Sequence, residues 1–406
     1  MAATLAATST EDNVLYENQG SICWGEGAHA TVTTRAGEPL SALATRLAEV
    51  DVDNWRAYGW ATFELSYALY GLDDAPTTDT VTLMIPRREV RFENGIALLR
   101  ALTAADVNAL ESRLAAAVLT GGVEPAEARV EVDVDGHDAE SYRAAVAAGI
   151  AEIRSGALDK VILSRVVPVQ EDIDMPTTYL TGRLANNPAR SFLLRLQGWE
   201  VLGFSPEIVI SVSSKGEVVT QPLAGTRAFF GDHEADRVRR DELYRDAKEV
   251  FEHAISVRLA ATELSTVCRP STVRVEEFMS VKERGSVQHL ASQLSGSLAP
   301  DRTGWDAFAA LFPAVTASGI PKASACELIR RAETQPRGLY SGAVLTVDQD
   351  GAIDAALVLR SVFRRDGDIW LRAGAGIVAQ STPERELEET REKLRSVSRF
   401  LVPSAE

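Results

Sequence analysis

Residues 155–167 read SGALDKVILSRVV, a run in which a lysine opens an otherwise apolar, β-branched stretch. Val161 to Leu163 and then Val166 and Val167 are strand-forming residues. At a period of two, Lys160, Ile162, Ser164 and Val166 share one face, and Asp159, Val161, Leu163 and Arg165 share the other. Two readings of Lys160 are open. Its ammonium could sit at the strand mouth and snorkel to water, or it could be a functional group placed in apolar company.

Working outward, ESYRAAVAAGIAEIRSGAL (140–158) reads as an amphipathic helix feeding that strand, and the acidic segment EVDVDGHDAE (131–140) marks a candidate boundary before it. Residues 1–135 mix apparent strands, ATFELSYALYGL (61–72) and VTLMIPRREVRF (81–92), with helical stretches at 39–50 and 104–119. After the lysine strand come closely spaced strand signals at 190–196, 200–204, 207–214 and 217–225. LYRDAKEVFEHAISVRLAATELSTV (243–267) reads as one long helix, and GIPKASACELIRRAE (319–333) as a shorter one with Pro321 in its first turn. Residues 338–376 form a strand meander with turns at Asp350-Gly351 and Asp366-Gly367, and a helix over 382–401 follows. Strand runs and helices are segregated. This predicts an α+β fold with large, mostly antiparallel sheets and helices packed outside, residues 1–135 being integrated with a catalytic region over 136–406.

Composition narrows the function classes. A chain of 406 residues with 45% hydrophobic and 25% charged residues is an ordinary globular sequence. Its net charge of -16 argues against nucleic acid or an anionic membrane as partner, though not against a small anion held by a local basic cluster. Cys23, Cys268 and Cys326 are scattered, without metal-ligand spacing, as suits a reducing compartment. No basic segment followed by an apolar run opens the chain, and no apolar run approaches the ~18 residues of a membrane span. A cytoplasmic, soluble protein is expected.

Two helices carry paired acids, Glu249 with Glu252 and Glu386 with Glu389. Three positions at 3.6 residues per turn leave about 60° between side chains, so each pair lies on one face. Facing each other, such helices would make an all-oxygen site suited to Mg²⁺. Taken singly, Lys248 with Glu252 and Glu389 with Lys393 also read as ordinary i,i+4 salt bridges. Gly374 and Gly376 in WLRAGAGIVAQ read as a strand-end turn whose amides could cradle a carboxylate. PLAGTR (222–227) gives a second glycine turn. Arg360 and Tyr340 are candidates for another carboxylate. Glu207, in FSPEIV, reads either as a surface acid or as a site acid, and His289 either as a core histidine or as a site residue.

Taken together, DKVILSR, GFSPE, QPLAGTR, KEVFEHAISVR, FMSVKERGSVQHLAS, FPAVTASGIPKA, RGLYSGAV, DAALVLR, WLRAGAGIV and PERELEETREKL resemble, in order, the blocks of the chorismate-utilising enzymes. The resemblance spans about 140–402 and is nearest to the family's salicylate-forming branch, ahead of its isochorismate-forming branch. It implies the fold of that family and a Mg²⁺ site at Glu249, Glu252, Glu386 and Glu389. It also implies a substrate site that includes Gly225, Thr226, Tyr340, Arg360, Gly374, Ala375, Gly376 and Lys393. Lys160 would be the base that activates water at C2 of chorismate, and Glu207 the acid that protonates the departing C4 hydroxyl. His289 and Thr316 would shape the site for pyruvate elimination, a concerted step that depends on holding the substrate folded. A lysine at 160, where the ammonia-using relatives typically carry glutamine, implies water as nucleophile and no glutaminase partner. Chorismate is then the expected small-molecule partner of a monomer or weak dimer.

Overall fold

The computed structural model describes residues 1–35, 38–72, 79–285 and 287–404. Among them, eighteen strands pair, and every pairing is antiparallel. A long bent ribbon, Ser21–Arg35 against Asp79–Glu93, joins two sheets. From one half of this ribbon the first sheet runs through Asn13–Asn18, Arg190–Leu196, Trp199–Ser205 and Ser361–Arg365. It continues through Asp368–Ile377 to the lysine strand, Lys160–Val169. From the other half the second sheet runs through Arg56–Ala61, Ala343–Asp348, Ile353–Leu357 and Ile208–Val212, ending on strands between 217 and 297.

The sheets meet face to face through an aromatic-rich core containing Tyr58, Trp60, Phe192, Trp199, Tyr340 and Phe363. Helices cover the outer faces. Leu40–Ala48, Ala247–Val267 and Gly304–Leu311 pack on the second sheet, while Ala2–Ala7, Met175–Ala185 and Pro383–Ser398 pack on the first. The strands before residue 94 lie inside both sheets, so their loss would open pairing edges in each.

Two elements differ from the sequence reading. Within 61–72, alternating Phe63, Leu65, Tyr67 and Leu69 suggest a strand, but the chain turns into a short helix, Leu65–Leu69. Tertiary contact overrides the period: Glu64 Oε1 accepts the backbone amides of Arg337 and Gly338, and Phe63 N–H donates to the Gly338 carbonyl. The helix expected over 243–267 is broken at Asp246, which takes a β conformation and caps a new helix, accepting from the amides of Lys248 and Glu249. The break puts Glu249 in a first turn, where a carboxylate is favoured by the helix dipole. The turns at Asp350-Gly351 and Asp366-Gly367 are where expected, with positive φ at Gly351, Asp366 and Gly367. All three cysteines are buried and unpaired. Among the described residues no helix is long and apolar enough to cross a membrane.

Candidate active site

The lysine strand is covered on both sides. Val161 and Leu163 join the helix-facing core with Tyr142, Val146 and Ile329, while Ile162 lines a cavity on the other side. Lys160 is wholly buried, which removes the snorkelling alternative. Its Nζ lies 2.9 Å from Glu252 Oε1 and donates to Ser256 Oγ at 3.1 Å. Lys160 is not itself in the cavity wall; Glu252, its partner, is.

The four glutamates of the two helices converge on one ammonium. Lys248 Nζ lies 3.1 Å from Glu386, 3.7 Å from Glu249, 3.8 Å from Glu252 and 3.9 Å from Glu389. Three of them have a second cation. Glu252 has Lys160, Glu389 has Lys393 at 2.7 Å, and Glu249 has Arg385 at 2.8 Å and Arg227 at 3.5 Å. Glu386 is fully buried, and its Oε1 has no hydrogen bond of acceptable geometry. Burial, and then the neighbouring Glu389 carboxylate, push the Glu386 carboxyl above its ordinary range. Burial also raises Glu249, whereas at Glu389 burial is outweighed by Lys393 and Lys248, which hold it low. Four carboxylates are hard oxygen donors of the kind that suits Mg²⁺; arranged around the Lys248 ammonium, no three of the described acids are spaced to hold a metal ion as they stand.

Gly374 and Gly376 correct the sequence reading. They do not form a turn or an amide nest but lie in the strand Asp368–Ile377, opposite Ser164 and Ile162. What matters is their missing side chains. A Cβ on Gly376 would fall 2.1 Å from Glu252 Oε1, and one on Gly374 would fall 2.6 Å from the Leu163 carbonyl oxygen. Ala375, between them, is fully buried and donates its amide N–H to the Tyr142 hydroxyl oxygen. Lys393 Nζ donates to the Gly374 carbonyl at 2.9 Å. Gly225 sits in a bulge of the strand Leu223–Ala228 with φ +85°, and Glu249 Cβ lies only 3.3 Å from where its own Cβ would be.

Glu207, His289, Thr316, Tyr340, Arg360, Gly225, Thr226 and Lys393 all line the same cavity. Burial lifts the Glu207 carboxyl to about 8, against the opposing pull of a 2.5 Å hydrogen bond from Thr316 Oγ1. Burial and then the Arg360 charge hold His289 well below its ordinary value, so the imidazole is neutral. Arg360 donates to Nε2, which assigns the proton to Nδ1 and makes Nδ1–H the donor to Thr226 Oγ1 at 3.0 Å. With both nitrogens engaged, His289 orients Arg360 and Thr226. Within its block, Ser286 lies outside the described residues.

Arg360 adopts φ +51° in the loop before Ser361. Burial and then Arg284 bring it down to about 10, still cationic at neutral pH. Among the described residues no carboxylate lies within ion-pair distance of it. A buried, uncompensated guanidinium on a cavity wall is a ready-made anion site. Tyr340 stands between the guanidiniums of Arg337 and Arg372, 5.6 and 5.5 Å from its ring centroid. Both arginines are tied to Glu333, which also accepts from the amide and hydroxyl of Ser164.

Sequence reasoning missed Lys248 as the centre of the carboxylate cluster, along with Arg385, Ser256 and the Glu333 network. Lys248 did carry a signal, its i,i+4 spacing to Glu252, but that spacing alone describes a solvated helix face equally well.

Comparison with known proteins identifies the family. Residues 5–399 match the family model described as chorismate binding enzyme. A salicylate synthase from Mycolicibacterium paratuberculosis is 43% identical, the alignment covering 99% of this chain and 92% of that protein. An anthranilate synthase component 1 from Spirochaeta aurantia is 37% identical over 64% of this chain and 54% of its own length. The menaquinone-specific isochorismate synthase of Escherichia coli has the same fold at 22% identity, with a TM-score of 0.75 over 98% of this chain and 91% of that one. Anthranilate synthase component I of Streptococcus pneumoniae shares the fold with a TM-score of 0.74, at 22% identity over 96% of this chain and 91% of that one. With the family model covering nearly the whole sequence, the chain belongs to the chorismate-binding enzymes.

Proposed function

We propose that this enzyme converts chorismate through isochorismate to salicylate and pyruvate, with Mg²⁺ as cofactor. Glu207 carries the reading: a buried carboxyl, protonated up to about pH 8, sits on the wall of a cavity that also offers cations for a substrate with two carboxylates. Such a group can donate a proton at neutral pH, which an exposed glutamate cannot. The 43% identity to a salicylate synthase along the whole chain supports the same product.

In the first step Lys160 takes a proton from the water that attacks C2, and Glu207 gives one to the leaving C4 hydroxyl. Base chemistry needs the Lys160 amine released from its ion pair with Glu252. Thr316 holds Glu207 in place, and Arg360, oriented by His289, binds the enolpyruvyl carboxylate together with Tyr340. Lys393 and the Gly374–Gly376 strand complete the wall beside it. Gly225 and Thr226 line the ring. Glu249, Glu252, Glu386 and Glu389 would hold Mg²⁺, which when bound neutralises the ring carboxylate and the crowded glutamates. In the second step pyruvate leaves by an intramolecular hydrogen transfer, to which the cavity contributes position. Water as nucleophile requires no glutaminase partner, and the enzyme works as a monomer or weak dimer.

Chromatography of a chorismate incubation, with Mg²⁺ and with chelator, tests the reading. Equimolar salicylate and pyruvate that vanish with chelator are expected. Accumulation of isochorismate without pyruvate would replace the reading with that of an isochorismate synthase.

A further inference from the structure

Lys248 is the residue the reaction leaves unexplained. It precedes Glu249 on the helix Ala247–Val267, is buried, and places one ammonium within 3.1 to 3.9 Å of all four glutamates. Only Glu386 accepts a hydrogen bond from it, through Oε2 at 3.4 Å. The ammonium is therefore shared among the carboxylates rather than bonded to each.

For three of the glutamates Lys248 is a second cation; for Glu386, among the described residues, it is the only one within ion-pair distance. Four carboxylates this close would repel one another in the absence of a central charge. A magnesium ion needs oxygens at about 2.0–2.1 Å and near-octahedral geometry. An ammonium with contacts of 3.1 to 3.9 Å occupies the same centre more loosely. A metal held by all four carboxylates would need that space.

We infer that Lys248 is the resident cation of the metal-free centre: it holds the four glutamates together before metal binds and is displaced by the metal. This rests on the Mg²⁺ reading above. Displacement requires only rotamer changes in a four-carbon stem, with no movement of the helix. Lys248 therefore preserves the cluster in the apoenzyme and competes with the metal for it. Removing the charge weakens the first effect and abolishes the second.

The test compares native protein with Lys248→Met and Lys248→Gln, using calorimetric titration with Mg²⁺ alone and thermal unfolding in chelator and in Mg²⁺. Both variants are expected to unfold several degrees lower than native in chelator, to bind Mg²⁺ at least tenfold more tightly, and to gain more Tm from saturating Mg²⁺. Lys248→Arg, which keeps the charge, is expected to gain no affinity. Equal or weaker Mg²⁺ binding by Met and Gln variants that fold with Mg²⁺ would overturn the inference alone. Absence of Mg²⁺ binding to native protein would overturn the metal reading and this inference with it.

Discussion

Gly376→Ala asks whether a missing side chain is what allows Glu252 to stand between Lys160 and the cavity. The added Cβ would lie 2.1 Å from Glu252 Oε1 and 2.8 Å from its Cδ, where ordinary contact begins at 3.4 Å. Glu252 is the end of a flexible side chain, so it can retreat, and the stability cost stays near the low end of overpacking, about 1 kcal/mol. Retreat by roughly 1 Å takes one carboxylate out of the cluster around Lys248, and a misplacement of that size costs about 10²-fold in rate. Salicylate fluorescence gives kcat/KM and a thermal scan gives Tm. A fall of about 100-fold with Tm lowered by only a few degrees is expected. Activity within about threefold of native would refute the reasoning. Gly374→Ala supplies the contrast, because its Cβ would meet the Leu163 backbone at 2.6 Å, which cannot swing aside. That variant should lose stability outright, by about 1–3 kcal/mol.

Because Glu207 titrates near 8 when folded and near 4.5 when free, kcat/KM should fall about tenfold per pH unit above that value, read from a pH–rate profile. The same carboxyl stabilises the fold fully below about 4.5 and ceases to do so as pH rises through about 8. Glu207→Gln, inactive, should therefore show a higher metal-free Tm than native protein at pH 9 and little difference at pH 5. Arg360→Ala should raise KM for chorismate by about 10–100-fold, the worth of a charged hydrogen bond and its orphaned partner, with a smaller change in kcat; steady-state kinetics decide it. We also propose that residues 1–135 are not an independent domain. A chain beginning at 136 should fail to unfold cooperatively in circular dichroism, because it lacks the strands paired with Arg190–Leu196 and Ala343–Asp348.

Much of the site was legible because its chemistry conflicts with its surroundings. Lys160 beside Ile162 is an ammonium in apolar company, but the glutamate pairs read equally as solvated helix faces, and it was the resemblance of ten ordered blocks to one family that drew these residues together. What was not legible depended on three-dimensional neighbours. Gly374 and Gly376 matter through the atoms opposite them, Glu252 and Leu163, which lie far away in sequence. The break at Asp246 follows from a capping side chain inside a segment whose composition favours continuous helix. The short helix at 65–69 is fixed by Glu64 binding amides 273 and 274 residues away. Lys248 is indistinguishable from a surface lysine until the second helix supplies Glu386 and Glu389.

Lys160→Gln, assayed separately with chorismate and with isochorismate, tests the central claim most directly. The account assigns Lys160 to water addition and gives it no role in the concerted loss of pyruvate. Chorismate turnover should fall by about 10²–10⁴-fold, the usual worth of a positioned base, while supplied isochorismate still yields salicylate and pyruvate at a rate within about tenfold of native. Native-like turnover of chorismate, or equal loss of both reactions in a variant that still binds Mg²⁺, would contradict it.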